Sequence, residues 1–220
     1  MLAIAQSKLY DLRMEQMVFT GDIVSSRQHG DARTTMALGE LQAAAEAFGR
    51  RRGLDPRFTR FRGDGWQILL DRPSLMLDAL LVLLSRLRAC DLGVETRIAV
   101  GIGPVSSTGS ADLSDAAGAA FTLSGRALDE MPARHLVRIA GARHPAEAAL
   151  GPLVDLIARS WTAQQAEALA MALDDAALTQ ADIGARLGIT RQAVQHRLSG
   201  AGAPFLIAAS AAFAPGEDRP

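Results

Sequence analysis

At 220 residues the chain is long enough for one large domain, or for a domain of about 140 residues with a smaller one beside it. Apolar residues make up 49%, ample for a core, while a net charge of −1 and a pI near 6.4 exclude a whole-protein basic field drawing it onto nucleic acid or an anionic membrane. Cys90 is the only cysteine, which excludes an intramolecular disulfide and a cysteine-rich zinc site; with Leu87 and Leu92 beside it, it reads as a core thiol.

The leader up to residue 15 reads as peripheral, with Met1, Met14 and Met17 all open as starts. Gln16–Val24 then has the pattern of a buried strand, and Leu38, Leu41, Ala45 and Phe48 recur at helical spacing within Thr34–Arg52. Asp55-Pro56 breaks the chain before Phe58–Phe61 and Trp66–Leu70, two short strands whose linker, Arg62-Gly63-Asp64-Gly65, is a hairpin signal. Pro73 suits the first turn of the next helix, whose Leu77, Leu80, Leu81, Leu84 and Leu87 form an apolar face wide enough to cover a sheet. Thr96–Ile102 is the next strand, stopped by Gly103-Pro104. After the loop Ser106–Ser110, Ala116–Met131 reads as a helix and Leu136–Ala140 as a last strand. The order is that of an α+β protein, with helices on one face of an antiparallel or mixed sheet, close to the ferredoxin-like arrangement.

Beyond Gly141 the sequence turns alanine-rich and helical, with helices expected near Pro145–Arg159, Thr162–Leu173, Gln180–Leu187, Arg191–Leu198 and Pro204–Phe213 and a frayed tail at Ala214–Pro220. The reading is therefore two domains: 16–141, and a small all-α domain over 145–213. The leucine-rich stretch Leu75–Leu87 is too short and too interrupted to span a bilayer, and no signal-peptide series opens the chain, so a cytoplasmic protein with no membrane partner is expected.

Gly21-Asp22 ends the first strand and Gly63-Asp64-Gly65 joins the hairpin. Each reads as a carboxylate at a strand tip, with glycines that let another group approach the backbone. Two such carboxylates side by side suit a divalent metal held against a nucleoside triphosphate. The competing reading is that glycine and aspartate only make turns there.

The successive motifs Gly21-Asp22-Ile23-Val24, Arg60-Phe61-Arg62-Gly63-Asp64-Gly65, Arg97 through Val105 and Gly118 through Arg126 resemble those of class III adenylyl/guanylyl cyclase catalytic domains. The opening Phe19 through Arg27 also resembles the start of the SatD family, whose members pair such a domain with a helix-turn-helix. The resemblance implies a nucleotide-cyclase-like mixed sheet and two metal ions, Mg²⁺ or Mn²⁺, on Asp22 and Asp64, with the Ile23 carbonyl as a further ligand. It implies that the Ser25-Ser26 turn offers backbone N–H groups to phosphates, and that Arg126 steadies the transition state across a homodimer. Thr122 stands where the cyclases carry a ribose-orienting asparagine, with a shorter reach and no amide. Arg60 and Asp115 fall at the base-reading positions. No lysine follows Lys8, which leaves Arg134, Arg138 or Arg143 as substitutes for a late phosphate contact.

Residues 179–198 have the layout of a helix-turn-helix. Thr179 caps a first helix with Asp182 three residues on, and Thr190 caps a second. Gly188 makes the turn, Gly184 allows close crossing, and Ile183, Leu187, Ile189, Val194 and Leu198 form the buried stripe. On double-stranded DNA the second helix would offer Arg191, Gln192 and Gln195 to base edges, with His196 and Arg197 available to bases or phosphates. The alternative is a helix pair used only for packing or dimerisation. Trp66 and Trp161 read as core anchors, and the four histidines lack metal-ligand spacing.

Two functions follow. The leading one is a DNA-binding transcriptional regulator that responds to a nucleotide or phosphate-bearing ligand through a cyclase-like domain. The competing one is a metal-dependent nucleotidyl cyclase, or a related phosphoryl-transfer enzyme, whose C-terminal helices serve assembly.

Overall fold

The structure, a computed structural model, describes residues 15–61, 63–142 and 145–214. The leader before Glu15, Arg62 of the hairpin, Arg143, His144 and the tail after Ala214 lie outside the described residues. In chain order the elements are β1 (Glu15–Ile23), α1 (Ser26–His29), α2 (Asp31–Arg52), β2 (Arg57–Phe61), β3 (Gly65–Leu70), a 3-10 turn (Pro73–Leu75), α3 (Met76–Ala89), β4 (Thr96–Ser107), β5 (Ala117–Gly118), α4 (Ala119–Asp129) and β6 (Val137–Ala140). The helices α5 (Pro145–Arg159), α6 (Ala163–Asp174), α7 (Gln180–Leu187), α8 (Arg191–Gly200) and α9 (Ala203–Phe213) follow. No helix among the described residues is long and apolar enough to cross a membrane.

The protein is α+β, and its chain divides into two compact units. The first takes the segment ending at Asp22 together with Asp55–Pro73 and Thr96–Pro152, and carries the sheet. Strands run in the order β2-β3-β1-β4-β5, and β6 also pairs with β4. β3 is antiparallel to both β2 and β1, whereas β6 runs parallel to β4 from Ile98 to Gly101, so the sheet is mixed. Apolar runs supply its strands: Met17, Val18, Phe19, Ile68, Ile98 and Val100 are all fully buried. Helix α4 lies on β4, where Ala99 meets Ala127, Leu128 and Met131. Gly101 permits that closeness, since a Cβ there would collide with the Ala120 carbonyl and the Ser124 amide.

The expected Gly103-Pro104 stop does not end β4, which continues to Ser107. Pro104 is exposed, and beyond it Val105 and Ser107 pair with β5 at the end of the strand order. That pairing takes Ala117 and Gly118 into a strand, so the helix expected from Ala116 begins at Ala119. Cys90, expected in the core, is exposed. It closes the last turn of α3, where its thiol donates to the Arg86 carbonyl at 3.4 Å.

The second unit, Ile23–Leu54, Ser74–Glu95 and the segment from Leu153, is helical. In it α3 packs on α2, α6 and α9. Arg51 pairs with Asp174 at 2.9 Å, Arg86 lies 3.5 Å from the same aspartate and 3.7 Å from Glu40, and Arg52 pairs with Asp78. Trp161, 1% exposed, ties three segments: its indole donates to the Ala201 carbonyl at 3.0 Å, and its own carbonyl accepts from Arg88 at 2.8 Å.

In the sheet unit one hydroxyl carries two loads. Thr96 accepts from the buried Trp66 indole at 3.0 Å and donates to the Asp22 carbonyl at 2.8 Å. Thr96→Val keeps the shape but leaves the indole N–H unpaired, so urea unfolding should show a loss of about 1–3 kcal/mol. Thr96→Ser should recover most of it; an unchanged midpoint in the valine variant would refute the pairing.

Candidate functional site

The antiparallel register of β1 and β3 sets Asp22 opposite Gly65, the residue after Asp64. The strand end and the hairpin thus bring the backbone of the two predicted residues to neighbouring positions at one end of the sheet. Gly21 lets the Trp66 ring and the β4 backbone close on β1 just before Asp22, because a Cβ there would run into the Arg97 carbonyl and that ring.

Both Asp22 oxygens are engaged by Arg97 at the start of β4. Arg97 Nε donates to Oδ1 at 2.9 Å and its terminal nitrogen donates to Oδ2, the two-pronged arrangement that suits a guanidinium and a carboxylate. The side chains are 30% and 25% exposed, so the pair is partly shielded from water. Its hydrogen bonds to Asp22 raise the Arg97 pKa, partial burial opposes this, and the charges of Asp22, Asp129 and Asp64 add to the rise. Arg97 therefore feels both candidate metal ligands. Its pairing was not legible in the sequence, since Arg97 and Asp22 lie 75 residues apart and neither strand's pattern marks the other.

As a donor set, two carboxylates are hard oxygen ligands that fit Mg²⁺ or Mn²⁺, ions that complete their shells with water and phosphate oxygens. No group of three or more His, Cys, Asp or Glu side chains suited to a metal occurs among the described residues.

The other predicted residues lie as follows. Ile23 ends β1 with a buried side chain. Ser25 adopts the left-handed conformation (φ 53°) and starts α1, whose first residue is Ser26; the Gln28 and Gly30 amides close that single turn on the Ser25 and Ser26 carbonyls. Arg60 is exposed and donates to the Gly63 carbonyl of its own hairpin at 2.9 Å. Asp115 accepts from the Ser110 amide at 2.9 Å, bracing the loop after β4, and that hydrogen bond holds its carboxyl below the usual range. Arg57 binds the Thr108, Gly109 and Ser110 carbonyls of the same loop. Thr122 is exposed and donates to the Gly118 carbonyl at 3.3 Å. Arg126 is 73% exposed and lies 3.4 Å from Glu130, which Arg138 also approaches at 3.4 Å.

In the helical unit α7 and α8 are joined by residues 188–190. Thr179 accepts from the Asp182 amide at 3.2 Å while Asp182 accepts from the Thr179 amide at 2.9 Å, a reciprocal cap. Thr190 accepts from Ala193 at 3.1 Å. Gly188 takes the left-handed turn (φ 66°), and a Cβ on Gly184 would come within 2.8 Å of the Ile189 carbonyl, so the helix and turn are in close contact there. On α8, Arg191, Gln192, Gln195 and His196 are exposed; Arg197 is turned to α6, pairing with Glu167 at 3.0 Å.

No family model matches the chain, and no curated protein matches it. Among solved structures it is similar to the catalytic core of a rhodopsin-guanylyl cyclase with converted specificity in complex with ATPαS, at 19% identity over 58% of this chain and 76% of that one, with a TM-score of 0.40. It is also similar to the non-canonical dimeric guanylyl cyclase domain of a fusion protein from the aquatic fungus Blastocladiella emersonii, at 18% identity, 57% and 78% coverage and a TM-score of 0.39. A third is a bacterial light-regulated adenylyl cyclase, at 14% identity, 57% and 75% coverage and a TM-score of 0.33.

The reciprocal cap carries a pH dependence. Hydrogen bonds from the Thr179 hydroxyl first, and its amide second, hold the Asp182 carboxyl below the usual range. A folded pKa below the unfolded one means that the cap stabilises above the unfolded value of about 4 and fades as pH falls through the folded value. The protection of the Ile183 amide, measured against its intrinsic exchange rate at each pH, should fall on acidification in the native protein, and Asp182→Ala should show the lowered protection already at neutral pH. Identical exchange in the two would contradict the cap.

Proposed function

We propose that the sheet unit binds a nucleoside triphosphate together with Mg²⁺ or Mn²⁺, Asp22 and Asp64 supplying the protein's carboxylates. The chain is then a nucleotidyl cyclase-like, nucleotide-binding protein. The observation that supports this reading is the β1–β3 register, which pairs Asp22 with Gly65, the residue after Asp64 in the hairpin. When bound, the metal would supply charge neutralisation at the phosphates, and the carboxylates would orient it. The wide exposure of Arg126 suits a residue that completes the site of a second copy, and a homodimer is part of this reading.

Metal and nucleotide that bind only the folded protein should raise its stability by about 2.7 kcal/mol when free ligand is one hundred times its Kd. Asp64→Asn should abolish most of that gain in thermal unfolding without lowering the unliganded midpoint. A full gain in the variant would remove Asp64 from the site. Product analysis after incubation with each nucleoside triphosphate and Mn²⁺ separates the two chemistries: a cyclic monophosphate identifies a cyclase, and unchanged nucleotide with retained binding identifies a ligand-sensing unit.

A second activity, binding double-stranded DNA in a transcriptional regulator, is favoured by the exposed polar face of α8. Arg191, Gln192 and Gln195 stand on it in the first turns after a capped start, the part of a recognition helix that meets base edges. Arg191→Ala or Gln192→Ala should each weaken a sequence selected from random duplexes by about 1–3 kcal/mol if the residue makes a bidentate base contact, and binding should fall steeply with salt. Selection that enriches no sequence would leave α7 and α8 as a packing module.

A further inference from the structure

We infer that Arg97 is an internal cation that holds the metal position of Asp22 closed in the resting protein, so that divalent metal binds tightly only when the guanidinium is drawn away. This rests on the metal-nucleotide reading of Asp22 and Asp64. Three observations carry it. Nε and a terminal nitrogen of Arg97 take both Asp22 oxygens, so an incoming ion must compete with or share each of them with a guanidinium N–H. The pair is about three-quarters shielded from solvent, so water screens it less than a surface pair. The backbone fixes both partners, because Thr96, the residue before Arg97, is bonded through its hydroxyl to the Asp22 carbonyl at 2.8 Å.

A metal ion approaching Asp22 faces two costs of the same sign. It must break the fork, and it meets the repulsion of a guanidinium that stays close by on β4. A polyphosphate removes both at once, since guanidinium binds phosphate oxygens as readily as carboxylate oxygens. Metal and polyphosphate therefore bind with positive coupling, and free metal ions are excluded from the resting site. A guanidinium that only braced β1 against β4 would give no such coupling, because the metal would then use other oxygens.

The test is equilibrium dialysis of the full chain against Mn²⁺ alone, with bound metal counted directly. The native chain should retain little. Arg97→Gln should bind at least about tenfold more tightly, the ratio expected when a partly shielded ion pair no longer competes. Adding Asp64→Asn to Arg97→Gln should abolish the gain. Arg97→Lys, which keeps a positive charge but cannot make the fork, should fall between the two, and it decides the matter should Arg97→Gln fail to fold: a gain supports the gate, and native-like binding overturns it. Equal Mn²⁺ affinity in the native and Arg97→Gln chains overturns the gate. In that case a Mn²⁺-dependent rise in midpoint with a non-hydrolysable ATP analogue leaves the metal-nucleotide reading intact. No Mn²⁺ retained by any variant, and no such rise, overturns both.

Discussion

The attachment of Asp22 to the start of β4 is the constraint on which the geometry of this end of the sheet depends. Thr96 holds its main chain and Arg97 its carboxylate, so a single two-residue step along β4 fixes both the position of the strand end and the orientation of its side chain. The same Thr96 hydroxyl satisfies the indole of Trp66, which lies under Gly21. Core packing and site geometry are thus one hydrogen-bonded system, in which an unsatisfied buried donor is costlier than the modest net worth of any one bond.

Close backbone approach is the second requirement. At Gly21 it admits the Trp66 ring and the β4 backbone, and at Gly101 it admits α4. These positions carry no side chain because the neighbouring element already fills that volume. The buried hydroxyl pair Thr20–Ser124, 2.7 Å apart, joins β1 to the same helix, with Gln67 donating to Thr20 at 3.2 Å. A polar contact of this kind, satisfied inside an apolar layer, fixes the helix on the sheet more narrowly than apolar packing alone.

The helical unit uses different means. Ion pairs centred on Asp174 connect α2, α3 and α6, and Trp161 bonds the end of α3 to the turn after α8. The turn between α7 and α8 is set by local bonds: reciprocal capping at Thr179, a left-handed glycine, and a Thr190 cap. Arg197 belongs to the internal framework through Glu167, which separates it from the exposed residues earlier on α8.

Features set by neighbours in sequence were legible from the start. The hairpin around Gly63-Asp64-Gly65, the limits of α7 at Gln180 and Leu187 and the mixed α+β class follow from turn residues, caps and periodicity, which act over a few residues. What the sequence could not show depends on residues far apart along the chain. Arg97 meets Asp22 across 75 positions, and nothing in either strand's own pattern indicates which residue will face a strand-end carboxylate. β4 passes through Gly103-Pro104 because β5 pairs with the residues beyond, a tertiary partner that outweighs the local breaker signal. Cys90 leaves the core because its still helical backbone places it one turn after Arg86, on that residue's side of α3, whatever its apolar neighbours suggest. Sequence thus determined the elements and the carboxylates at their tips; only the pairing of strands decided that one of those carboxylates starts out bound to an arginine.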